Sequence, residues 1–231
     1  MDIRFLGHSC FELSNGSTRI LIDPFLRDNP SSPIGPDDIE PTHIVLTHGH
    51  GDHWGDVVEI ANRTNAHCIG IVELAWELRE AGVARRSDPN LGGTVTLDDD
   101  AWIQLVPAWH TSTTPNGTVN TPAGLVVHLD GTTIYHSGDT ALFSDMRLIG
   151  RREPIDVALL CIGGHYTMDR REAVEATALV GAREVIPCHY NTFPIIEADA
   201  QAFKEDVESG VGARVVILDP GQTHSPTGAV D

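Results

Sequence analysis

Four side chains that can bind metals stand within six consecutive residues, His48-Gly49-His50-Gly51-Asp52-His53. Imidazole nitrogens and carboxylate oxygens are the usual protein ligands of zinc and similar divalent ions. An apolar run at residues 42–47 precedes the segment and is typical of a buried strand. In a turn after that strand, His48 and His50 can face one ion, and Asp52 and His53, entering the next helix, a second. A histidine-rich surface turn would not need the aspartate, so we interpret the segment as a metal-binding motif.

Two complete metal sites need further ligands, and three residues elsewhere in the chain could supply them. His110, Asp139 and His189 each come just after an apolar run typical of a strand. A single histidine after a strand is more often an ordinary core group. Three such residues in a chain that also carries the motif indicate a site at the ends of strands. The seven side chains together suffice for two ions that share one carboxylate.

Two other histidines are candidates for the same site. His8 stands in a turn after the first predicted strand, and His165 follows the apolar run at residues 155–162. Either one can hold a metal ligand in place or face the substrate as a donor. We treat both as candidates for substrate binding, and His165 also as a candidate catalytic group.

Short apolar runs alternate with helical periodicities along the whole chain, without a linker or a repeat. Strands are predicted at residues 2–13, 18–23, 42–47, 68–71, 94–97, 102–107, 124–129, 132–136, 155–162, 184–187 and 214–218. Helices are predicted at about 54–63, 72–81, 170–180 and 197–209, and a long loop at 27–41. Hairpin-linked strands mixed with strand–helix units favour an α/β fold of two mixed sheets covered by helices. We expect one domain over residues 1–231, with a loose tail over about the last ten.

The chain is strongly acidic. Its 15 Lys+Arg residues face 33 Asp+Glu residues, which gives a formal net charge of −18. Such a charge repels phosphate backbones and anionic lipids, so we expect neither nucleic acid nor a membrane as a partner. Lys204 is the only lysine. A G+C-rich genome or a high-salt cytoplasm could produce this pattern, and we favour the halophilic interpretation because an acidic surface stays soluble in salt.

The four cysteines lie far apart in apolar stretches, with no CxxC pair. This arrangement favours buried free thiols over disulfides or a zinc ribbon. No signal peptide is recognisable, and no apolar run reaches the roughly 18 residues needed to span a bilayer. We therefore expect a cytoplasmic protein and leave open whether it forms a homo-oligomer.

The order of the segments HGHGDH, PAWH, SGDT and PCHY resembles the metallo-β-lactamase superfamily. Stretches such as LGHSCFEL, ILIDPFL, TPAGLVV and CHYNTFP make the chain more similar to the small UlaG-like group of metal-dependent hydrolases, related to ascorbate-6-phosphate lactonase. The likeness runs from residue 3 to about residue 218. It implies a four-layer αβ/βα sandwich, two mixed sheets flanked by helices. It also implies the metal roles: a first ion on His48, His50 and His110, a second on Asp52, His53 and His189, and Asp139 bridging them.

A centre of this kind is suited to hydrolysis. Water between two divalent ions loses a proton far more easily than bulk water, since one zinc already brings its pKa to about 7. We expect the metal-bound hydroxide to attack an ester, lactone or phosphoester bond of a small anionic molecule, with Asp52 or His165 moving the proton. Zinc is the expected metal, with Mn, Ni, Fe or Co as alternatives. A di-iron oxidoreductase, a metal-dependent nuclease or phosphodiesterase, and a non-catalytic metal-binding protein stay open as other functions.

Overall fold

The computed structural model describes residues 1–98 and 100–226, and its strands form two sheets of seven strands each. The strands of the first sheet are β1 (Asp2–Phe5), β2 (Phe11–Ser14), β3 (Arg19–Ile22), β4 (His43–Val45), β5 (His67–Ile69), β6 (Arg86–Ser87) and β14 (Thr223–His224). Those of the second sheet are β7 (Thr94–Asp98), β8 (Ala101–Pro107), β9 (Ala123–Leu129), β10 (Thr132–His136), β11 (Val157–Cys161), β12 (Glu184–Cys188) and β13 (Arg214–Val215).

The helices are α1 (Gly51–Trp54), α2 (Val57–Thr64), α3 (Val72–Glu80), α4 (Met146–Arg152), α5 (Arg170–Val180) and α6 (Ala200–Gly210), with short 3₁₀ turns at Pro36–Asp38 and Pro194–Ile196. The two longest helices, α5 and α6, each begin at an aspartate whose side chain caps the helix. Asp169 accepts hydrogen bonds from the first free amides of α5, and Asp199 does so for α6. Gly181 ends α5 in the left-handed conformation. The bounds predicted for α5 are therefore confirmed at both ends.

Both sheets are mixed in the same way. The first has the order β14-β1-β2-β3-β4-β5-β6, antiparallel as far as β3 and parallel from β3 to β6. The second has the order β13-β12-β11-β10-β9-β8-β7, parallel from β13 to β10 and antiparallel from there to β7. Short turns join most of the antiparallel neighbours, although the long segment 108–122 connects β8 to β9, and helices lie in most of the connections between parallel strands.

Alternate residues of the strands face two different cores. In β9, Leu125 and Val127 belong to the core shared by the two sheets, whereas Val126 packs in the core formed with α4, α5 and α6. Helices α2 and α3 pack on the first sheet through residues such as Ile60 and Leu74. The order of layers is thus helices, sheet, sheet, helices. The predicted four-layer α/β sandwich is confirmed.

Two predicted elements are divided in the structure. The run at residues 2–13 contains β1 and β2, which pair antiparallel across a turn at residues 6–10. The helix predicted at about 54–63 is interrupted at Gly55, which has a φ of 43°. A Cβ atom at Gly55 would lie 2.3 Å from the Pro24 carbonyl oxygen. Only glycine allows the chain to pass so close to the segment that follows β3.

Further differences concern elements that the sequence does not predict, among them strand β6, helix α4 and strand β14. Helix α4 has only seven residues, of which Met146 and Ile149 are buried, too few for a clear periodicity. The prediction of a loose tail is wrong at Thr223 and His224. These two residues form β14, which pairs with β1 and gives β1 a partner on its outer side. Residues 227–231 of that predicted tail lie outside the described residues.

The cysteine prediction is confirmed, since all four thiols are buried and free. Burial raises the pKa of the Cys188 thiol well above its ordinary value, and it raises that of Cys68 to about 12. These thiols are therefore inert packing groups. Among the described residues, no helix has the length and apolar character needed to cross a bilayer.

Candidate metal centre

The site lies at one edge of the sandwich, where strands of both sheets end. Two backbone hydrogen bonds join the sheets along this edge. The amide of Ala123, at the start of β9, donates to the carbonyl of Thr47, after β4, at 2.9 Å. The amide of His189, after β12, donates to the carbonyl of His8, between β1 and β2, at 2.7 Å. Residues that follow strands of different sheets are thereby brought together.

Three of the predicted ligands form a first group. His48 follows β4, His50 precedes α1 and His110 follows β8, and one ring nitrogen of each lies within 4.8 Å of the others. The Nε2 atom of His48 is 3.0 Å from Nδ1 of His50. Gly49 between them packs tightly, because a Cβ there would lie 2.6 Å from Nδ2 of Asn120. Gly49 is thus a packing requirement, whereas a Cβ at Gly51 would make only an ordinary contact with Pro115.

Three other predicted ligands form a second group. Asp52 and His53 both lie on α1, and their ligand atoms lie within 4.8 Å of His189 and His8. The Nε2 atom of His8 donates to Oδ2 of Asp52 at 3.1 Å, and its Nδ1 accepts from the Thr192 hydroxyl at 2.9 Å. His8 is buried with both nitrogens engaged. The geometry therefore supports His8 as a group that holds Asp52, and it does not support the expected contact with substrate.

Asp139 lies between the two groups and is only 3% exposed. Its Oδ2 atom is 4.0 Å from Nε2 of His48 and 3.5 Å from Nε2 of His110, both in the first group. Toward the second group, Oδ2 is 3.1 Å from Nε2 of His189, and Oδ1 is 3.3 Å from Nε2 of His53. One carboxylate thus faces all four rings. This is the position that the sequence predicts for a bridging ligand.

Asp23, directly after β3, orients one histidine of each group. Its Oδ2 atom accepts a hydrogen bond from Nδ1 of His53 at 2.7 Å and another from the Thr47 hydroxyl at 2.6 Å. Because the Thr47 hydroxyl donates to Asp23, it accepts from Nδ1 of His48 at 3.0 Å. The Nδ1 atoms of both rings are therefore engaged as donors, and their Nε2 atoms are directed toward Asp139.

Sequence reasoning missed Asp23 as part of the site. Its signal was present, because Asp23 comes directly after a strand as the candidate ligands do, within the segment ILIDPFL. Its partners stand 24 and 30 residues away along the chain. The contact depends on the parallel pairing of β3 with β4, which places Ile22 beside Val45.

The charges of the site favour ionised carboxylates and mostly neutral histidines. Burial lowers the pKa of His48 well below its ordinary value, and it also lowers the pKa values of His50 and His110. Burial raises the pKa of Asp139, but His189 and His53 outweigh it and hold this pKa well below the usual range. His53 is the exception, because the negative charges of Asp139 and Asp23 overcome its burial and raise its pKa well above the ordinary value. A cation at its Nε2 would take the place of that proton.

Buried polar atoms without hydrogen-bond partners test whether metal ions fit this site. Within the described residues, seven such side-chain atoms occur, and four of them belong to His53, Asp139 and His189. A buried polar atom left unsatisfied costs about 1–3 kcal/mol, and each one in a native structure calls for an explanation. Divalent ions held by one nitrogen of each ring and by Oδ1 of Asp139 would supply it for three of these four atoms. The donor set, imidazole nitrogens with two carboxylates, suits such ions.

The backbone is strained at three residues of the site. His8, Asp23 and His189 all have positive φ values, 58°, 44° and 52°. This conformation costs a non-glycine residue about 1–3 kcal/mol and persists where surrounding contacts impose it. At His189 and His8 the amide-to-carbonyl bond between the two residues is such a contact. In this conformation the side chains of these residues, which come after strands, are directed back into the site.

A cavity of about 600 Å³ opens over the two groups. His50, Asp52, His110, Asp139 and His189 line its floor. His165 lies outside this lining, on the surface, with its ring 4.5 Å from that of Tyr166, which does line the cavity. Its place fits a role at the rim and does not support the expected role in moving the proton.

Comparisons with known proteins identify the family of this chain. The family model described as "Beta-lactamase superfamily domain" matches residues 2–189. The chain belongs to this superfamily. A UPF0173 metal-dependent hydrolase of Thermococcus kodakarensis is 46% identical over 224 residues, 96% of this chain and 98% of that protein. The corresponding protein of Pyrobaculum aerophilum is 45% identical over 226 residues, 96% of this chain and 98% of its own length.

A solved structure is also similar to this chain. Igni18, described as a novel metallo hydrolase from the hyperthermophilic archaeon Ignicoccus hospitalis, is 39% identical to this chain. It superposes with a TM-score of 0.88, covering 96% of this chain and 97% of its own. The chain is thus a metal-dependent hydrolase of the metallo-β-lactamase fold, and the resemblance seen in the sequence is confirmed at the level of the superfamily.

Proposed function

We propose that this metallo-β-lactamase superfamily member is a binuclear hydrolase. One ion would bind His48, His50 and His110, and the other Asp52, His53 and His189, with Asp139 shared between them. The observation that supports this most strongly is the position of Asp139, whose carboxylate lies within 4.0 Å of ring nitrogens from both groups. Zinc suits these ligands best, and Mn, Ni, Fe or Co are the alternatives.

When bound at these residues, two divalent ions would supply a water of lowered pKa as the nucleophile and a positive charge that stabilises the oxygen of the bond under attack. Asp23 keeps the Nε2 atoms of His48 and His53 available as ligands. Asp52 and Asp139 both line the cavity, but the Asp52 side chain is 33% exposed and that of Asp139 only 3%. Asp52 is therefore the carboxylate placed to accept a proton from water in the cleft.

The substrate is a small molecule that contains an ester, lactone or phosphoester bond. A cavity of about 600 Å³ falls in the range of small-molecule sites. The net charge of −18 opposes the approach of a nucleic acid, which disfavours the nuclease alternative.

Hydrolysis by defined metal forms tests this proposal. Protein stripped with a chelator should be inactive, and addition of Zn, Mn, Ni or Co should restore hydrolysis of at least one member of a panel of aryl esters, lactones and phosphodiesters. Absence of hydrolysis for every metal and every compound would overturn the proposal. Oxygen-dependent turnover by an iron-loaded form would instead assign the same ligands to a di-iron oxidoreductase.

A further inference from the structure

One side of the cavity is an apolar wall formed by Tyr166, Phe193, Ile195 and Ile196. Two of its members are unusually exposed for their type, Tyr166 at 55% and Ile195 at 51%. Large apolar side chains that are left exposed and that converge on one cavity indicate a binding surface.

Backbone hydrogen bonds fix the segment that carries most of this wall. The amide of Asn191 donates to the carbonyl of Ile196 at 2.9 Å, and the amide of Ile196 donates to the carbonyl of Phe193 at 3.1 Å. The side-chain oxygen of Asn191 accepts from the amide of Ala198 at 2.9 Å. The wall is therefore formed before a ligand arrives, which reduces the entropic cost of binding.

The cavity offers little to a charged or sugar-like group away from the metal ligands. In the described part of the chain, none of its lining residues is lysine or arginine. Five of the lining residues belong to the candidate metal groups, and the remaining polar ones are Thr111 and the phenol of Tyr166. Phosphate and carboxylate groups are usually held by arginine or lysine. The anionic substrate expected from the sequence has no such partner beyond the ions themselves.

We propose that the substrate is an uncharged carboxylic ester or lactone whose non-reacting part is apolar and packs against this wall. This inference rests on the proposed hydrolytic function for the reacting bond. The prediction that an apolar group binds to the wall is separate, because binding can be measured without turnover. Burial of methylene groups against it supplies the affinity.

Titration of the zinc-loaded protein with straight-chain carboxylates from acetate to octanoate tests the wall directly, because carboxylates are products of ester hydrolysis. The Kd measured by calorimetry should fall about threefold for each added methylene. Ile195→Ser and Tyr166→Ser should each weaken octanoate about fivefold and leave acetate within twofold. Both positions are exposed, so these changes leave the core intact. Leu148→Ser, at a residue of similar exposure on α4, is the matched control and should change nothing.

A Kd that does not vary with chain length, or an equal effect of Leu148→Ser, would overturn the inference. Measurements of turnover distinguish a failure of this inference from a failure of the proposed function. Rising kcat/KM along a series from acetate to hexanoate aryl esters would support both. If binding depends on chain length but no ester or lactone is hydrolysed, the proposed hydrolytic function is contradicted and the apolar binding site is supported. Preferred hydrolysis of phosphorylated or sugar esters would overturn the apolar site and leave the hydrolase.

Discussion

Asp23 controls which nitrogen of His48 and of His53 faces the candidate metal site. It accepts from His53 directly and from His48 through Thr47. Carboxylates in this role typically contribute 10- to 100-fold in metal affinity. Asp23→Asn should therefore lower the affinity of the protein for both ions by about that factor. Competition with a chelating dye measures this affinity. Asp56→Asn is the control, because Asp56 holds backbone amides after β3 and contacts no candidate ligand. Wild-type affinity for both ions in Asp23→Asn would contradict the role.

His8 acts on one group only, through its hydrogen bond to Asp52. Burial lowers the pKa of His8 to about 4, so its ring is neutral and donates one proton to that carboxylate. We expect His8→Ala to weaken the ion at the second group about 10- to 100-fold and to spare the ion at the first. His128→Ala, a half-buried histidine that pairs with Thr133, should leave both unchanged. Loss of turnover with both ions retained would return His8 to the substrate-binding role expected from the sequence.

The sequence predicts the members of the two groups because their side-chain types and their positions after strands both point to metal binding. It does not separate His8 and His165 from each other, since both follow apolar runs. Their difference arises from tertiary contacts: Thr192 and Asp52 enclose His8, whereas His165 stays on the surface. Such contacts link residues as far apart as 184 positions and leave no local pattern.

Gly55 shows how one residue sets the path of an element. It separates α1 from α2 with a φ of 43°, and a Cβ there would meet the backbone of Pro24. Gly55→Ala should lower the free energy of unfolding by about 3 kcal/mol, measured by denaturant titration, because it combines a steric clash with a disfavoured φ. Gly82 has a φ of 85° and open space where a Cβ atom would lie. Gly82→Ala should therefore lower the free energy of unfolding by only about 1 kcal/mol. Equal costs for the two variants would contradict the steric explanation.

Most strands and helices are predictable from apolar runs and periodicity, and their ends are less so. Helix α5 is predicted at both ends because Asp169 and Gly181 mark them. Helix α1 has four residues and lies within the metal motif, so its apolar pattern is too short to recognise. Strand β14 has two residues, and only the proximity of β1 reveals it.

The whole molecule carries 18 more negative than positive charges. Ion pairs such as Arg170–Asp206 and Arg183–Asp156 neutralise part of the acidic surface, but with 15 basic residues for 33 acidic ones repulsion must dominate. Salt shortens the range of this repulsion to about 3 Å at 1 M. We expect the melting temperature to rise from dilute to molar KCl. A melting temperature that stays flat or falls would favour genomic composition as the origin of the single lysine.

The central claim is that two ions share Asp139, and the number of ions bound per chain tests it most directly. Stripped protein dialysed against excess zinc and then analysed for metal should hold close to two ions per chain. Asp139→Asn, which keeps the shape and removes the charge, should lose both, whereas Asp206→Asn on α6 should hold two. Saturation of the wild-type protein at one ion, or two ions retained by Asp139→Asn, would contradict the claim.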